Sequence, residues 1–279
     1  MIAWSILQPG VGRRLLMKIL TFNIAMISYF LASLEYFLYL VYRRPGVSTL
    51  ATGTVAVGLL SHTVIIGLRS QETGHGPYTT SFEVALFLSW LVVVVYCFTH
   101  WKYKIKDLGS FVIPVAFLIL LYATFLSKEV VPFPETEFKV LLTLHRTLSI
   151  IGFAAFAIAF GLGVMYLIQE KQVKSKKLGM MYFRMPSLEA LDNLIYKVVA
   201  VGFPLFTLGF LTGSIWNIQM NQLSFFSWDL MKTWPMIIGW VLYGFVFFGR
   251  QLMGWRGKKI AQGSIVGFVT VMISILLHV

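Results

Sequence analysis

Charge is scarce in this chain, and acid scarcest of all: Asp and Glu number 11 among 279 residues, and charged residues make up 12%. Soluble domains carry about a quarter charged residues. A chain that is 58% hydrophobic, with a mean hydropathy of +0.79, is a polytopic membrane protein over nearly its whole length. Cysteine is close to absent. The single Cys97, within an apolar run, excludes a disulfide framework, a CxxC redox pair, a thiolate zinc site and a C-x-x-C-H haem attachment. Also missing are HExxH, a phosphate-binding loop, a nucleophile beside its base and paired carboxylates inside the apolar segments. No repeat, low-complexity stretch or second domain breaks residues 1–279. The apolar run after Lys18 is too long for the core of a cleavable signal, so none is expected.

What is present is a succession of apolar segments. Crossing about 30 Å of hydrocarbon takes roughly 20 residues. Segments near 19–41, 49–68, 81–99, 108–126, 140–168, 194–216, 235–254 and 261–278 meet that length. The expected fold is all-α, a bundle of about eight transmembrane helices, because lipid cannot satisfy open backbone groups. Pro114 and Pro204 fall inside spans four and six and are expected to kink them; Pro235 is expected to open span seven. Ser187, after Pro186, is the expected N-cap of span six.

The net charge of +12 needs no nucleic-acid partner, since the basic residues sit in short loops between spans. Fourteen Lys and Arg follow spans one, three, five and seven, against four after spans two, four and six. The positive-inside rule makes the first set cytoplasmic and places both termini outside. Arg13, Arg14 and Lys18 run against this count, and residues 1–18 are expected to lie along the interface. The basic loop at 170–193 has the composition of a solvated, lipid-facing segment.

Polar residues within spans are expensive and mark functional candidates. Four of the five histidines, His62, His75, His145 and His278, fall at the outer side of this topology. Arg69 lies seven residues after His62 on the same helical face, and Glu83 opens span three. His100 falls at the cytoplasmic boundary as an unligated interfacial residue. Glu35, isolated in span one, is expected to pair with a polar neighbour. The outer segment 213–234 carries Trp216, Trp228 and Trp234, three of the eight tryptophans, with Phe225, Phe226 and Asp229. Two histidines beside such an aromatic face suit the axial positions of a haem iron. An aromatic interfacial belt with unrelated polar contacts accounts for the same residues, and cation handling by the outer acids is a third reading.

Several stretches carry a family resemblance: GHGPYTTSFEVALFLSW, LHRTLSIIGFAAFAIAFGLGVMYL, PSLEALDNLIYKVVAVGFPLFTLGFLTGSIW, the SWDLMKTW core and GWRGKKIAQGSIVGF. In order and position they resemble the CcsA/ResC cytochrome c assembly proteins, a haem-handling group with a tryptophan-rich "WWD" motif that includes HemX-like proteins. The similarity covers roughly residues 50–279. It implies haem presented at the outer face of a bacterial cytoplasmic membrane, between axial ligands His145 and His278. It also implies a WWD-like platform of Trp216, Phe225, Phe226, Trp228, Asp229 and Trp234, and an outer polar cluster of His62, Arg69, His75 and Glu83. Non-covalent b-type haem would be passed to apocytochrome c with a ResB/CcsB-like membrane partner, making the chain a candidate component of a haem-attachment complex.

The motif departs from the family pattern WGSYWxWDPKETW: Gln222 and Phe226 replace tryptophans, Leu230 a proline and Lys232 a glutamate. Phe248 stands where the family usually has a histidine two residues before the arginine, so an in-membrane haem site is absent or differently built. Two other functions stay open on these residues. One is a HemX-like accessory or regulatory protein of haem synthesis; the other is a b-haem subunit passing electrons in a respiratory complex.

Overall fold

The computed structural model describes residues 9–134, 138–176, 179, 185–221 and 230–277. Among them stand eight α-helices and no strand: α1 (Pro9–Tyr42), α2 (Pro45–Thr73), α3 (Ser81–Tyr103), α4 (Gly109–Ala123), α5 (Lys139–Lys174), α6 (Leu188–Asn221), α7 (Leu230–Met253) and α8 (Lys258–Leu277). A short 3₁₀ turn, Lys106–Leu108, leads into α4. Eight segments are long and apolar enough to cross a membrane, one on each α-helix, the fourth (Lys106–Ala123) reaching that length only with the 3₁₀ turn before α4; the protein is multi-pass.

The chain forms two compact units. Met1–Val94 with Ile113–Phe133 makes the first, and Val95–Val112 with Pro134–Val279 the second. In the first, α1 and α2 pack along a stripe that repeats every three and four residues. From α1 it buries Phe22, Ala25, Tyr29, Ala32 and Tyr36; from α2, Ser48, Ala51, Val55, Gly58, His62, Ile65 and Arg69. That 3.5-residue period is the seam of side-by-side helices. Its opposite faces are open to lipid, as at Leu34, Phe37, Val57 and Leu60. Lipid tails are as apolar as leucine, so the seam rests on close packing and polar contacts rather than on apolar burial. Tyr36 and Thr52 hydroxyls bond at 3.1 Å, and the Tyr29 ring lies directly over Gly58.

In the second unit α5 is the central helix, with Phe156, Leu162 and Met165 wholly buried. Small residues let its neighbours approach. Phe156 stacks on Tyr243 of α7 at 3.5 Å between ring centroids, and Gly163 faces the Ala261 carbonyl of α8.

Three expectations are corrected. Of the residues 1–18 expected along the interface, 1–8 lie outside the described residues; helix α1 runs unbroken from Pro9, so 9–18 are its first turns, and Lys18 pairs with Glu72 at 2.8 Å. Pro235 lies inside α7, which begins at Leu230; the helix extends beyond the apolar run through polar positions that hydropathy alone discounts. Among the described residues Glu35 Oε2 is buried without a hydrogen-bond partner. The expected cap of α6 forms, with the Ala190 N–H donating to Ser187 Oγ at 3.2 Å.

Candidate functional site

His145 lies in the second turn of α5, against α6. Its Nδ1 is 2.7 Å from the Gly209 carbonyl oxygen. A carbonyl only accepts, so Nδ1 carries the proton and Nε2 keeps its lone pair. Among the described residues Nε2 makes no hydrogen bond. The ring lies against Gly213: a Cβ there would overlap Nδ1 and Cε1, and would meet Cγ at 3.0 Å. Gly209, Gly213 and Trp216 are spaced four and three residues apart, which puts them on one face of α6. Trp216 Nε1 is buried there without a hydrogen-bond acceptor. An imidazole held by its back nitrogen to a backbone carbonyl, with the front nitrogen open, is the arrangement of a metal-ligating histidine. An indole N–H lacking an acceptor on the same face suits a ligand that brings acceptors of its own.

The first unit holds a second polar site. The segment Thr80-Ser81-Phe82-Glu83 starts α3 as a capping box: Glu83 N–H donates to Thr80 Oγ1 at 3.3 Å, while Thr79 and Thr80 N–H donate to Glu83 Oε2 at 3.0 and 3.4 Å. The other carboxylate oxygen takes Arg69 Nε at 2.9 Å. Arg69 also donates to the Lys128 carbonyl at 3.0 Å and to the Glu129 carbonyl. Both side chains are nearly inaccessible, at 6% and 0%. A pair so enclosed, with every strong donor and acceptor used, joins the ends of α2 and α3 to the segment after α4.

The stretch Tyr78 to His278 matches the family described as Cytochrome C assembly protein. The chain belongs to that family. It is similar to the cytochrome c biogenesis protein CcsA of Guillardia theta, 25% identical over 274 residues, covering 91% of this chain and 90% of that one. The CcsA of Gloeobacter violaceus is 25% identical over 316 residues, covering 93% and 92%. The CcsA of Chlamydomonas reinhardtii is 30% identical over 218 residues, 75% of this chain and 59% of its relative.

The site residues expected from the sequence fall into separate groups. His145 and Trp216 share one face of the α5–α6 pair. Trp234, near the start of α7, is half exposed. Phe225, Phe226, Trp228, Asp229 and His278 lie outside the described residues. Arg69 and Glu83 meet directly. His75 sits close by, but both its ring nitrogens have near neighbours: Nε2 is 2.9 Å from the Val131 carbonyl, and Nδ1 is 2.8 Å from the Gly76 carbonyl and 3.2 Å from the Thr79 hydroxyl. It fastens the loop after α2 to the segment after α4. His62 stands about 10 Å deeper than Arg69, two turns back along α2. It is fully buried, with Nδ1 3.2 Å from the Tyr29 hydroxyl and Nε2 without a partner. Phe248 packs edge-on against Phe203 at 6.0 Å, in a group of rings that includes Phe247. His100 rests on Tyr96, with Nδ1 3.3 Å from the Ile105 carbonyl.

One polar centre escaped the reading of the sequence. At the other end of α6, Arg250 Nη1 bonds Asp192 Oδ2 at 2.8 Å, and its Nη2 reaches the Asn193 side chain. The second Asp192 oxygen accepts the Gly257 N–H at 2.7 Å, closing the α7–α8 turn. The guanidinium lies 4.6 Å over the Tyr196 ring. The available signal was an Asp-Asn pair near the start of α6 and a lone arginine near the end of span seven.

Proposed function

We propose that this protein acts in c-type cytochrome biogenesis as a membrane haem-handling protein, holding haem at the outer face for attachment to apocytochrome c. The observation that carries this reading is the His145–Gly209 bond. It fixes the imidazole as a neutral ligand with Nε2 presented, beside the unpaired Trp216 N–H. The residues present therefore fit a haem, which is here cargo. His145 would be one axial ligand and His278 the other. Trp216 and Trp234, with Phe225, Phe226, Trp228 and Asp229, would form the face on which the ring rests.

The iron supplies the acceptor for the imidazole and keeps the cargo in one orientation. The nucleophilic thiols belong to apocytochrome c, so this chain contributes positioning rather than nucleophilic or acid–base chemistry. The α5–α6 pair places the imidazole, and the Gly213 surface leaves room for its ring. Membership in the cytochrome c assembly family and similarity to CcsA proteins support the assignment to cytochrome c biogenesis. The distribution of basic loops supports an outward-facing His145 and 213–234 segment, with both termini outside, in a bacterial cytoplasmic membrane. A ResB/CcsB-like membrane protein is the partner this role requires.

The test is spectroscopic and genetic. Detergent-purified protein loaded with haem is expected to give a reduced bis-histidine spectrum that His145→Ala and His278→Ala each abolish. A deletion strain is expected to lose c-type cytochromes. Normal cytochromes with altered haem precursors would refute the assignment, as would spectra unchanged in both variants.

A further inference from the structure

A cavity of ≈ 410 Å³ opens in the first unit between α1, the end of α2, the start of α3 and the end of α4. That is the size of a small-ligand site. No histidine lines it, which separates it in chemistry from the His145 face. Its apolar part is Phe22, Met26, Ile65 and Phe82. Along α1 the lining residues run from Leu15 to Met26, a rise of about 16 Å along the helix. Leu15 and Ile19, on its α1 wall, are 47% and 49% exposed. The slot is therefore bordered by surface that faces hydrocarbon in a membrane.

Its charged part is Lys18, Arg69, Glu72 and Lys128, with Asn23 and Thr124 as neutral polar lining. Glu72 takes Lys18 at 2.8 Å and lies 3.5 Å from Arg69, whose Nε is held by Glu83. Lys128 rests its ammonium 5.5 Å above the Phe22 ring and forms no ion pair among the described residues. Three cations against two carboxylates leave one positive charge, located at Lys128. Arg69 and Glu72 lie in the last turns of α2, Glu83 in the first turn of α3 and Lys128 just after α4. Glu72 holds Lys18, about 14 Å inside α1, at their level. Charge at a helix end belongs at headgroup depth.

We propose that this cavity binds an anionic phospholipid, with the phosphate at Lys18 and Lys128 and one acyl chain along Phe22 and Met26. The unbalanced ammonium selects negative charge, and the apolar slot selects a chain over a free anion.

Native mass spectrometry of the full-length protein in detergent tests this, with phosphatidylglycerol and phosphatidylcholine of identical chains as probes. One phosphatidylglycerol per chain is expected to be retained, at least about tenfold more tightly than phosphatidylcholine. Lys128→Gln should weaken it about fivefold, the factor expected for one basic residue near an anionic headgroup. Met26→Trp, which fills the slot, should remove both lipids while thermal unfolding stays cooperative. Equal retention of the two lipids would overturn the proposal, as would retention indifferent to both substitutions. Competition by inorganic phosphate alone would make the site an anion site, and mole-for-mole displacement by haemin would assign it to the tetrapyrrole. Either result overturns the lipid assignment.

Discussion

Replacing Gly213 by alanine tests the His145 site at one methyl group. The new Cβ would overlap the imidazole, so the ring must turn away and give up its 2.7 Å bond to the Gly209 carbonyl. Losing that bond costs about 0.5–1.5 kcal/mol, and overpacking about 1–3 kcal/mol. Alanine offsets part of this, being favoured over glycine inside a helix by about 0.5–1 kcal/mol. The net loss of stability should therefore be modest, on the order of 1–3 kcal/mol. Haem affinity should suffer more, because removing the backbone partner of a ligating histidine lowers metal affinity about 10–100-fold. The assay is a haem titration of the detergent-purified protein followed in the Soret band, beside thermal unfolding of the same samples. Gly53→Ala is the control: nothing lies within 4 Å of its added Cβ, so affinity should hold and stability should not fall. Wild-type haem affinity in Gly213→Ala would refute the placement of His145 as a ligand oriented by α6.

Arg69→Met strands the Glu83 carboxylate in a closed site and should cost about 3–5 kcal/mol, read by thermal unfolding. Arg69→Met with Glu83→Leu should cost less than the sum of the two single changes. Asp192→Ala and Arg250→Ala should likewise be non-additive, with a coupling above about 1 kcal/mol in a double-mutant cycle, because both remove the same 2.8 Å bond. His75→Ala should speed tryptic cleavage after Lys128 and leave the haem spectrum intact, since both ring nitrogens already face groups of this chain, Nε2 the Val131 carbonyl and Nδ1 the Gly76 carbonyl and Thr79 hydroxyl. Loss of the spectrum in His75→Ala but not in His145→Ala would move the ligand assignment to the first unit.

The helices were legible because a span must be about 20 apolar residues long whatever it packs against. Which face of each helix turns inward was not. In α2 the buried stripe holds Ala51 and Val55, while the lipid side holds Leu50, Val57 and Leu60, so hydrophobicity does not separate them. The candidate site was legible in part. His145, Arg69 and Glu83 stood out as polar residues at span ends, and Thr80-x-x-Glu83 is a cap signature readable in the sequence. The partner of His145 was invisible, because a backbone carbonyl carries no residue identity and Gly209 is one of 23 glycines. Pro235 was misplaced for a related reason: apolar length sets where a span must be, not where its hydrogen-bonded helix starts. The Asp192–Arg250 pair spans 58 positions, and pairings of that range depend on the fold.

The length of α6 ties the site to the bilayer itself. From Asp192 to Gly213 the helix rises about 31 Å, close to the roughly 30 Å of hydrocarbon it must cross. The Asp192–Arg250 pair thus anchors one boundary, while the His145 imidazole meets the other. A thinner membrane would lift the imidazole and Trp216 into water, and a thicker one would draw them beneath the headgroups or tilt α6. Hydrophobic mismatch therefore becomes a control on how far the His145 face is hydrated. Reconstitution in lipids of graded chain length should change haem exchange with no change in sequence.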